Sequence, residues 1–573
     1  MYVGTVKVGD REYVRIVESV RVEGKPRPRV IASLGNLEAI RRSIPTIIRG
    51  LHRVLGEEAP LLEPELENLD HAEFGVGLLT NALWQELGLG ELLRRRFRSR
   101  TESSSTEILI RTMVANRLSQ PCSKLGIARW LEDVSLGPEA DGFLAKHRAN
   151  PVVLADRFYE AMDSLLRHRG AVERHLFEKL KDLFHLEVDA VFYDLTSTYF
   201  EGTLAELGWF GYSRDEKPGN LQVVVGLVLV DGLPISHHVF KGYRRDSTCL
   251  ASALESIGRR FRIRRVVLVG DRGLLTEENV ALLREKGHEY ILACRKRQDH
   301  STRRALRVRP PVPVWTPVER ARREEPPEPV VWSLRSPEGE RLVGHTNPVA
   351  ALRDRERRED ILKAFREELR ELQFRLRKNA RLGRDGRVAQ VAELLARRKG
   401  LGKRYFTCEI DASGQLLYRV KQRVLDYEPR LDGTTVLRTN NEALSDEEVV
   451  ARYKELAQVE RAFRDLKSFI DLRPLYHHAA RRIASHVFIC VLALLLERMI
   501  ERRLKEAGFE GWTAQEALRV LKRIRLLRDR LNGVEIERLA GLGAEQRRIL
   551  RALGIKEPAP LLGARRAQRP GAA

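Results

Sequence analysis

The sequence predicts a mixed α/β core that is interrupted by an inserted subdomain and preceded by a mainly α-helical region. Three observations predict it. Residues 190–200 (AVFYDLTSTYF) and 265–274 (RVVLVGDRGL) are apolar runs of β-forming residues, the pattern of buried strands, and they carry Asp194 and Asp271. Residues 445–467 (SDEEVVARYKELAQVERAFRDLK) read as a helix, with Ser445 and Glu448 as a capping box and Pro474 beyond its end. Residues 71–184 instead show amphipathic helical periodicity, and strand patterns return only at about residue 187.

The two aspartates ask for a chemical account. A carboxylate in a buried strand is costly unless its charge is compensated, by a metal ion or by backbone donors and a basic partner. Two strands that each end in an aspartate bring two carboxylates to one sheet edge, where ligands of α/β sheets bind. On the predicted helix, Tyr453, Glu460 and Lys467 are spaced seven apart, nearly two turns, so they share a face that Arg464 joins. Such a polar face also suits plain solvated surface. Glu455 lies five positions before Glu460, about 140° around a helix, so the two cannot serve one site.

These residues carry a resemblance. The segments VFYDLTSTYFEG, GLPISHHVFKG, VVLVGDRGLLTEEN and LRTNNEALSDEEVVARYKELAQVERAFRDLKSFIDLRPLYHHAARRIASHVFICVLAL, in that order, resemble bacterial insertion-sequence transposases of the DDE type, in the insertion-sequence-four superfamily. The signature of that superfamily is Tyr, two residues, Arg, three residues, Glu, six residues, Lys. Tyr453, Glu460 and Lys467 fall on it, whereas Leu456 stands in the Arg position and Arg464 is a candidate substitute. The resemblance spans about 187–497 and implies a ribonuclease H-like core.

Taken in order, residues 1–34 alternate as two or three short strands with turns at Gly9-Asp10 and Gly24-Lys25, and a basic helix follows to Leu55. This β-rich segment plus helix (1–56) gives way to an acidic, proline-punctuated linker. The helical region (71–185) carries Arg-rich pieces such as 93–98 and a Ser104/Glu107 capping box, and the resemblance makes it the DNA-binding region. The core (187–300 and 431–500) reads as three strands, helix, strand, helix, strand, with a hairpin at Asp231-Gly232. That is the ribonuclease H-like order.

The 189 positions between Asp271 and Glu460 exceed what one connection needs, so 301–430 is an inserted subdomain, with a long charged helix, a second helix and a hairpin at Ser413-Gly414. Its Trp315 and Trp332 suit packing better than base stacking. An apolar helix from 479 to 505 packs on the sheet, C-terminal helices (512–555) include a basic one reaching Leu531, and a disordered tail (556–573) follows.

Composition sets bounds. A formal net charge of +22 and 43% hydrophobic residues describe a globular chain with a polyanionic partner, nucleic acid first. The five scattered cysteines form no C-x-x-C, which argues against a disulfide framework or zinc site and fits a reducing cytosol. The N-terminus has no signal-peptide core and the apolar run 487–496 is too short to span a bilayer, so a cytoplasmic protein, nucleoid-associated when on DNA, is expected. His477, His478 and His486 lack a ligand-like frame and read as structural.

The resemblance implies phosphodiester chemistry: cleavage at an element's inverted-repeat ends and joining of those ends to target DNA, by a homodimer on double-stranded DNA. It makes Asp194, Asp271 and Glu460 the ligands of two divalent ions about 3.5–4 Å apart. Mg²⁺ suits hard carboxylate oxygens and substrate phosphates, with Mn²⁺ as its substitute. Lys467 and Arg464 would contact DNA, and Tyr453 would position it. Two alternatives stay open: a ribonuclease H-like nuclease without strand transfer, and a catalytically inactive transposase-derived DNA-binding protein.

Overall fold

The computed structural model describes residues 1–22, 25–41, 43–56, 66–97, 100–186, 190–211, 213–244, 246–261, 267–308, 312, 315–322, 325–336, 339–379, 381–531, 534–556, 558 and 561–566. The linker residues 57–65, Arg98, Val266, most of PVPVW and the tail 567–573 lie outside the described residues, as does the side chain of Ser104. The chain forms two compact units: Met1–His71 with Leu527–Leu539 and Ala559–Ala573, and Ala72–Leu526 with Ala540–Pro558.

In the smaller unit, strands Tyr2–Val8, Arg11–Val22 and Lys25–Asn36 form an antiparallel sheet in chain order, followed by helices Leu37–Ile40 and Ile44–Leu55. A second sheet orders Leu561–Arg566, Val534–Ala540, Arg525–Leu531 and Leu66–Glu73. Two expectations are corrected there. The basic helix expected to reach Leu531 stops at Leu521, and Arg525–Leu531 is a strand of that sheet. Six residues of the expected disordered tail, Leu561–Arg566, pair with that sheet, because its neighbouring strand leaves an edge to fill.

The larger unit is organised by one eight-stranded sheet. Its strands are β1 (Ala190–Tyr199), β2 (Gln222–Val230), β3 (Leu233–Lys241), β4 (Val267–Gly270), β5 (Glu289–Ala293), β6 (Val330–Arg335), β7 (Arg341–Thr346) and β8 (Thr434–Thr439), in spatial order β6-β7-β8-β5-β4-β1-β2-β3. The pairs β1/β4 and β4/β5 are parallel and the others antiparallel. Every residue of β2 is buried, which is why its sequence is a continuous apolar run and not an alternation. The β2–β3 turn has positive φ at both Asp231 (49°) and Gly232 (75°), the two-residue geometry whose twist matches a hairpin.

The insert does not keep to a layer of its own. Its first part supplies β6 and β7, which extend the sheet through β8. Trp332 on β6 packs across Gly344 of β7, where a Cβ would lie 2.0 Å from the indole, so this tryptophan is core. The remainder, helices Pro348–Lys378 and Arg384–Tyr405 with the hairpin Phe406–Ile410/Leu416–Val420, closes a separate apolar cluster around Phe365 and Phe406.

The helices that build the core around the sheet include α1 (Arg100–Ser119), α2 (Pro151–Arg167), α3 (Arg169–Phe184), α4 (Asp246–Phe261), α5 (Asp446–Lys454), α6 (Ala457–Ser468) and α7 (Ala480–Glu506). By length and composition α7 could cross a membrane, yet 94% of its most apolar window is buried inside the protein. It packs against β3 on one side and α1 and α2 on the other, so the helical region and the sheet share one core. A buried ion cluster fastens the same seam: Glu173 of α3 meets His237 of β3 at 3.0 Å, Arg169, and Arg260 of α4. Burial would raise the Glu173 carboxyl, but the His237 hydrogen bond and the two guanidiniums overcome it and hold the group well below the usual range.

Candidate active site

Strand register does the first part of the assembly. Phe192 of β1 pairs with Val269 of β4 in parallel, so Asp194 and Asp271, each two residues on, stand level on adjacent strands. Asp271 directly follows β4, as expected. Asp194 does not end its strand: β1 continues to Tyr199 because Leu195–Thr198 stay paired with β2. Each carboxylate has one oxygen held by a backbone donor, Leu195 N–H to Asp194 Oδ1 and Gly273 N–H to Asp271 Oδ1, both at 2.7 Å. Those bonds orient one oxygen of each carboxylate.

Glu460 comes from α6. This helix lays Val459, Ala462, Phe463 and Leu466 into the core against β1 and keeps Glu460 exposed at the rim. Asp194, Asp271 and Glu460 line one open cleft of about 860 Å³. Among the described residues no three His, Cys, Asp or Glu side chains converge closely enough to hold a metal ion. The donor set is nevertheless of the right kind, three hard carboxylates in one cleft, two of them level.

The helix expected over 445–467 is two helices. The capping box of Ser445 and Glu448 is present, but α5 ends at Lys454. Leu456, Gln458 and Val459 then donate to carbonyls three residues back, a tight 3₁₀ turn. Three-residue spacing lets both Leu456 and Val459 bury, at 5% and 0% exposure. A face argument over seven residues therefore does not connect Tyr453 to Glu460. Electrostatic coupling connects them instead. Burial first, then the charges of Asp271, Glu460 and Asp194, push the Tyr453 phenol up to about 12. Tyr453 thus stands within electrostatic reach of all three carboxylates and stays neutral.

Glu455 and Glu460 face different surfaces. Glu455 lines a second pocket with Asp231, Arg452 and Arg502, and burial raises its carboxyl. The signature's Arg position is occupied by buried Leu456, where a guanidinium would need a buried partner. Arg464 is exposed and does not line the cleft. Lys467 is not presented to the cleft either. Its Nζ lies 2.8 Å from Asp215 Oδ1, with 11% and 5% of the two side chains exposed, and Arg473 pairs with the same carboxylate. Burial lowers the Lys467 pKa and Asp215 opposes that.

What residue-by-residue reading missed is the cationic wall. Arg214, Arg272, Arg295, Lys296, Arg297 and Arg404 line the cleft around the three carboxylates. Arg295–Arg297 follow β5, the parallel neighbour of β4, after the single residue Cys294, so the run CRKRQ after a strand was the available signal. Two of the cations are held in place: Lys296 Nζ donates to Leu431 O at 2.8 Å, and Arg297 meets Glu428 in two bonds of 3.1 and 2.7 Å. Arg214 is brought in by the loop after β1, its N–H donating to Ser197 Oγ at 2.8 Å.

A cleft lined by three carboxylates and six cations, at the end of parallel strands, has the chemistry that suits an enzyme acting on a polyanion. The transposase DDE domain family matches residues 185–496, more than half of the chain, and the chain belongs to the DDE transposases. The IS1634 family transposase N-terminal domain matches residues 4–64. Among solved structures, the piggyBac transposase synaptic complex with hairpin DNA, determined by cryo-EM, is similar at 10% identity over 78% of each chain, with a TM-score of 0.31 that is too low to carry an argument. No curated protein matches the chain.

Proposed function

We propose that this transposase cuts DNA at the ends of its insertion sequence and joins those ends to target DNA in a divalent-metal-dependent reaction. The observation that carries the reading is the level pair Asp194 and Asp271, with Glu460 in the same cation-walled cleft. A ribonuclease H-like core is supported by the strand order β3-β2-β1-β4-β5, antiparallel for the first three strands and parallel for the last three.

Asp194, Asp271 and Glu460 are the residues that would hold the ions, two Mg²⁺ by the logic of hard oxygen donors. When bound, such ions stabilise charge on the attacking and leaving oxygens of an in-line displacement. The protein's own groups do the rest. Arg214, Arg272 and Arg295 neutralise the phosphates of the strand entering the cleft. Arg297 and Lys296, pinned by Glu428 and by a backbone carbonyl, keep that wall in position before DNA arrives. Tyr453, held neutral, donates its hydroxyl to a DNA oxygen beside the carboxylates. The partner is double-stranded DNA, the two ends are held by a homodimer, and the transposase associates with the nucleoid while bound.

The test is cleavage and joining of end DNA in Mg²⁺ and in Mn²⁺ by Asp194→Asn, Asp271→Asn and Glu460→Gln. All three are expected to lose both reactions and to keep end binding. Cleavage without any joined product by the wild type would turn the reading to a nuclease. Full activity in any of the three variants would remove that carboxylate from the site.

A further inference from the structure

The N-terminal sheet ends in an arm. Strand Tyr2–Val8 pairs with Arg11–Val22 only as far as the register Tyr2↔Val17. Beyond it the second and third strands continue alone, through Glu18↔Arg29, Ser19↔Pro28, Val20↔Arg27, Arg21↔Pro26 and Val22↔Lys25. This two-stranded ribbon is five residue pairs long, about 17 Å at 3.4 Å per residue. Among its described residues Arg21, Val22 and residues 25–31 are exposed, and Glu18 and Val20 are half-buried. An isolated two-stranded ribbon is marginally stable in water, so one this exposed gains stability from a partner.

Its chemistry selects the partner. Lys25, Arg27 and Arg29 alternate with Pro26 and Pro28, which places the three cations on one face of the outer strand, about 7 Å apart. Arg21 adds a fourth cation against Glu18 and Glu23, a net charge of +2 (4 − 2) over residues 18–29, and Arg29 exchanges its Glu18 partner at 2.7 Å for phosphate when DNA binds. The two prolines remove two N–H donors from the exposed edge, which disfavours addition of a strand from another protein. A two-stranded β-ribbon is one of the elements that the major groove of B-DNA admits.

We propose that this arm is a duplex-DNA contact, with Lys25, Arg27 and Arg29 on the phosphates that flank a major groove. The proposal rests on the reading of the chain as a DNA-acting transposase, and it adds a binding element built from residues outside the cleft. These contacts position the protein and carry no sequence information by themselves.

The experiment uses the full chain and a labelled duplex of random sequence, titrated across a series of salt concentrations. The variant Lys25→Ala/Arg27→Ala/Arg29→Ala is expected to bind at least about tenfold more weakly and to lower the slope of log affinity against log salt by about 2–3, because each phosphate contact contributes about 0.9. Its melting temperature should match wild type, since the side chains are exposed. Arg27→Lys/Arg29→Lys should keep the wild-type slope. An alanine variant with unchanged affinity and slope overturns the arm proposal and leaves the transposase reading intact. A wild-type chain that does not bind duplex DNA at all overturns both. A change in oligomeric state with unchanged DNA binding shows the arm to be a self-association surface and overturns the proposal.

Discussion

Replacing Lys467 by alanine tests how the position seventh after Glu460 works. The side chain is 11% exposed and its ammonium lies 2.8 Å from Asp215, whose own side chain is 5% exposed. Breaking a buried pair by removing one partner costs about 3–5 kcal/mol when the remaining charge is left uncompensated. Here Arg473 stays on Asp215, so the charge remains partly matched. One carboxylate oxygen, Oδ2, is already buried without a hydrogen-bond partner, so relaxation toward water is restricted. We expect a loss of about 1–3 kcal/mol, a fall in melting temperature of about 1–5 °C for a unit of this size. Thermal and urea unfolding of Lys467→Ala, Asp215→Asn and the double variant measure it, and the cycle should return a coupling of about 1–3 kcal/mol. Cleavage by the folded fraction should stay within about tenfold of wild type. An unchanged melting temperature with cleavage abolished would refute the argument and put Lys467 on DNA.

Three further outcomes are expected. Glu460→Gln should lose cleavage and Glu455→Gln should keep it, measured side by side in Mg²⁺, because the two carboxylates line different pockets; the reverse result sinks the assignment. Specific end binding should depend on the Arg-rich helix Leu89–Arg96, but truncation at residue 185 is a poor test, since it would strip α1 and α2 from the apolar α7. Arg95→Ala/Arg96→Ala, both at the helix's last turn, should weaken binding to end DNA and reduce its salt slope by up to about 2, and equal binding would move end recognition elsewhere. Glu497, 2% exposed on α7, has its pKa pushed up to about 8 by burial, and Arg498 does not offset this because it also serves Asp465 and Glu501. The folded chain therefore keeps a proton that the unfolded chain releases above about pH 4.3, so this group costs stability progressively as pH rises to about 8. Glu497→Gln should be more stable than wild type by about 2–5 kcal/mol at pH 8 and by little at pH 4 in denaturant unfolding, and a gap that is constant with pH would refute the buried-acid account.

Local pattern carried a large part of the architecture. The long charged helix of the insert, Pro348–Lys378, and the capping box of Ser445 and Glu448 were legible because periodicity and capping act over a few positions. The Asp231-Gly232 turn was legible because positive φ at both positions favours those residue types. Elsewhere a local pattern fitted more than one packing. The 3₁₀ turn at Leu456 arises because Leu456 and Val459 both bury against the core, which no propensity within 445–467 encodes.

What the sequence determined by itself was the family, and it singled out three carboxylates as candidates. Asp194, Asp271 and Glu460 were selected by strand pattern and motif order, and the DDE domain matches the same stretch of chain. What only the tertiary structure decided was what each neighbouring residue faces. Lys467 looked like a DNA contact along one helix and is an ion-pair partner of Asp215, 252 positions away in the chain. The insert looked autonomous and gives two strands to the main sheet. The cationic wall gathers Arg214, Arg295 and Arg404 from three separate segments, and six bases scattered through a chain with a net charge of +22 have no pattern to stand out from. The physical reason is common to all three. Periodicity reports which side of an element is apolar, whereas charge pairing and strand neighbours depend on distances between segments that only the folded chain sets.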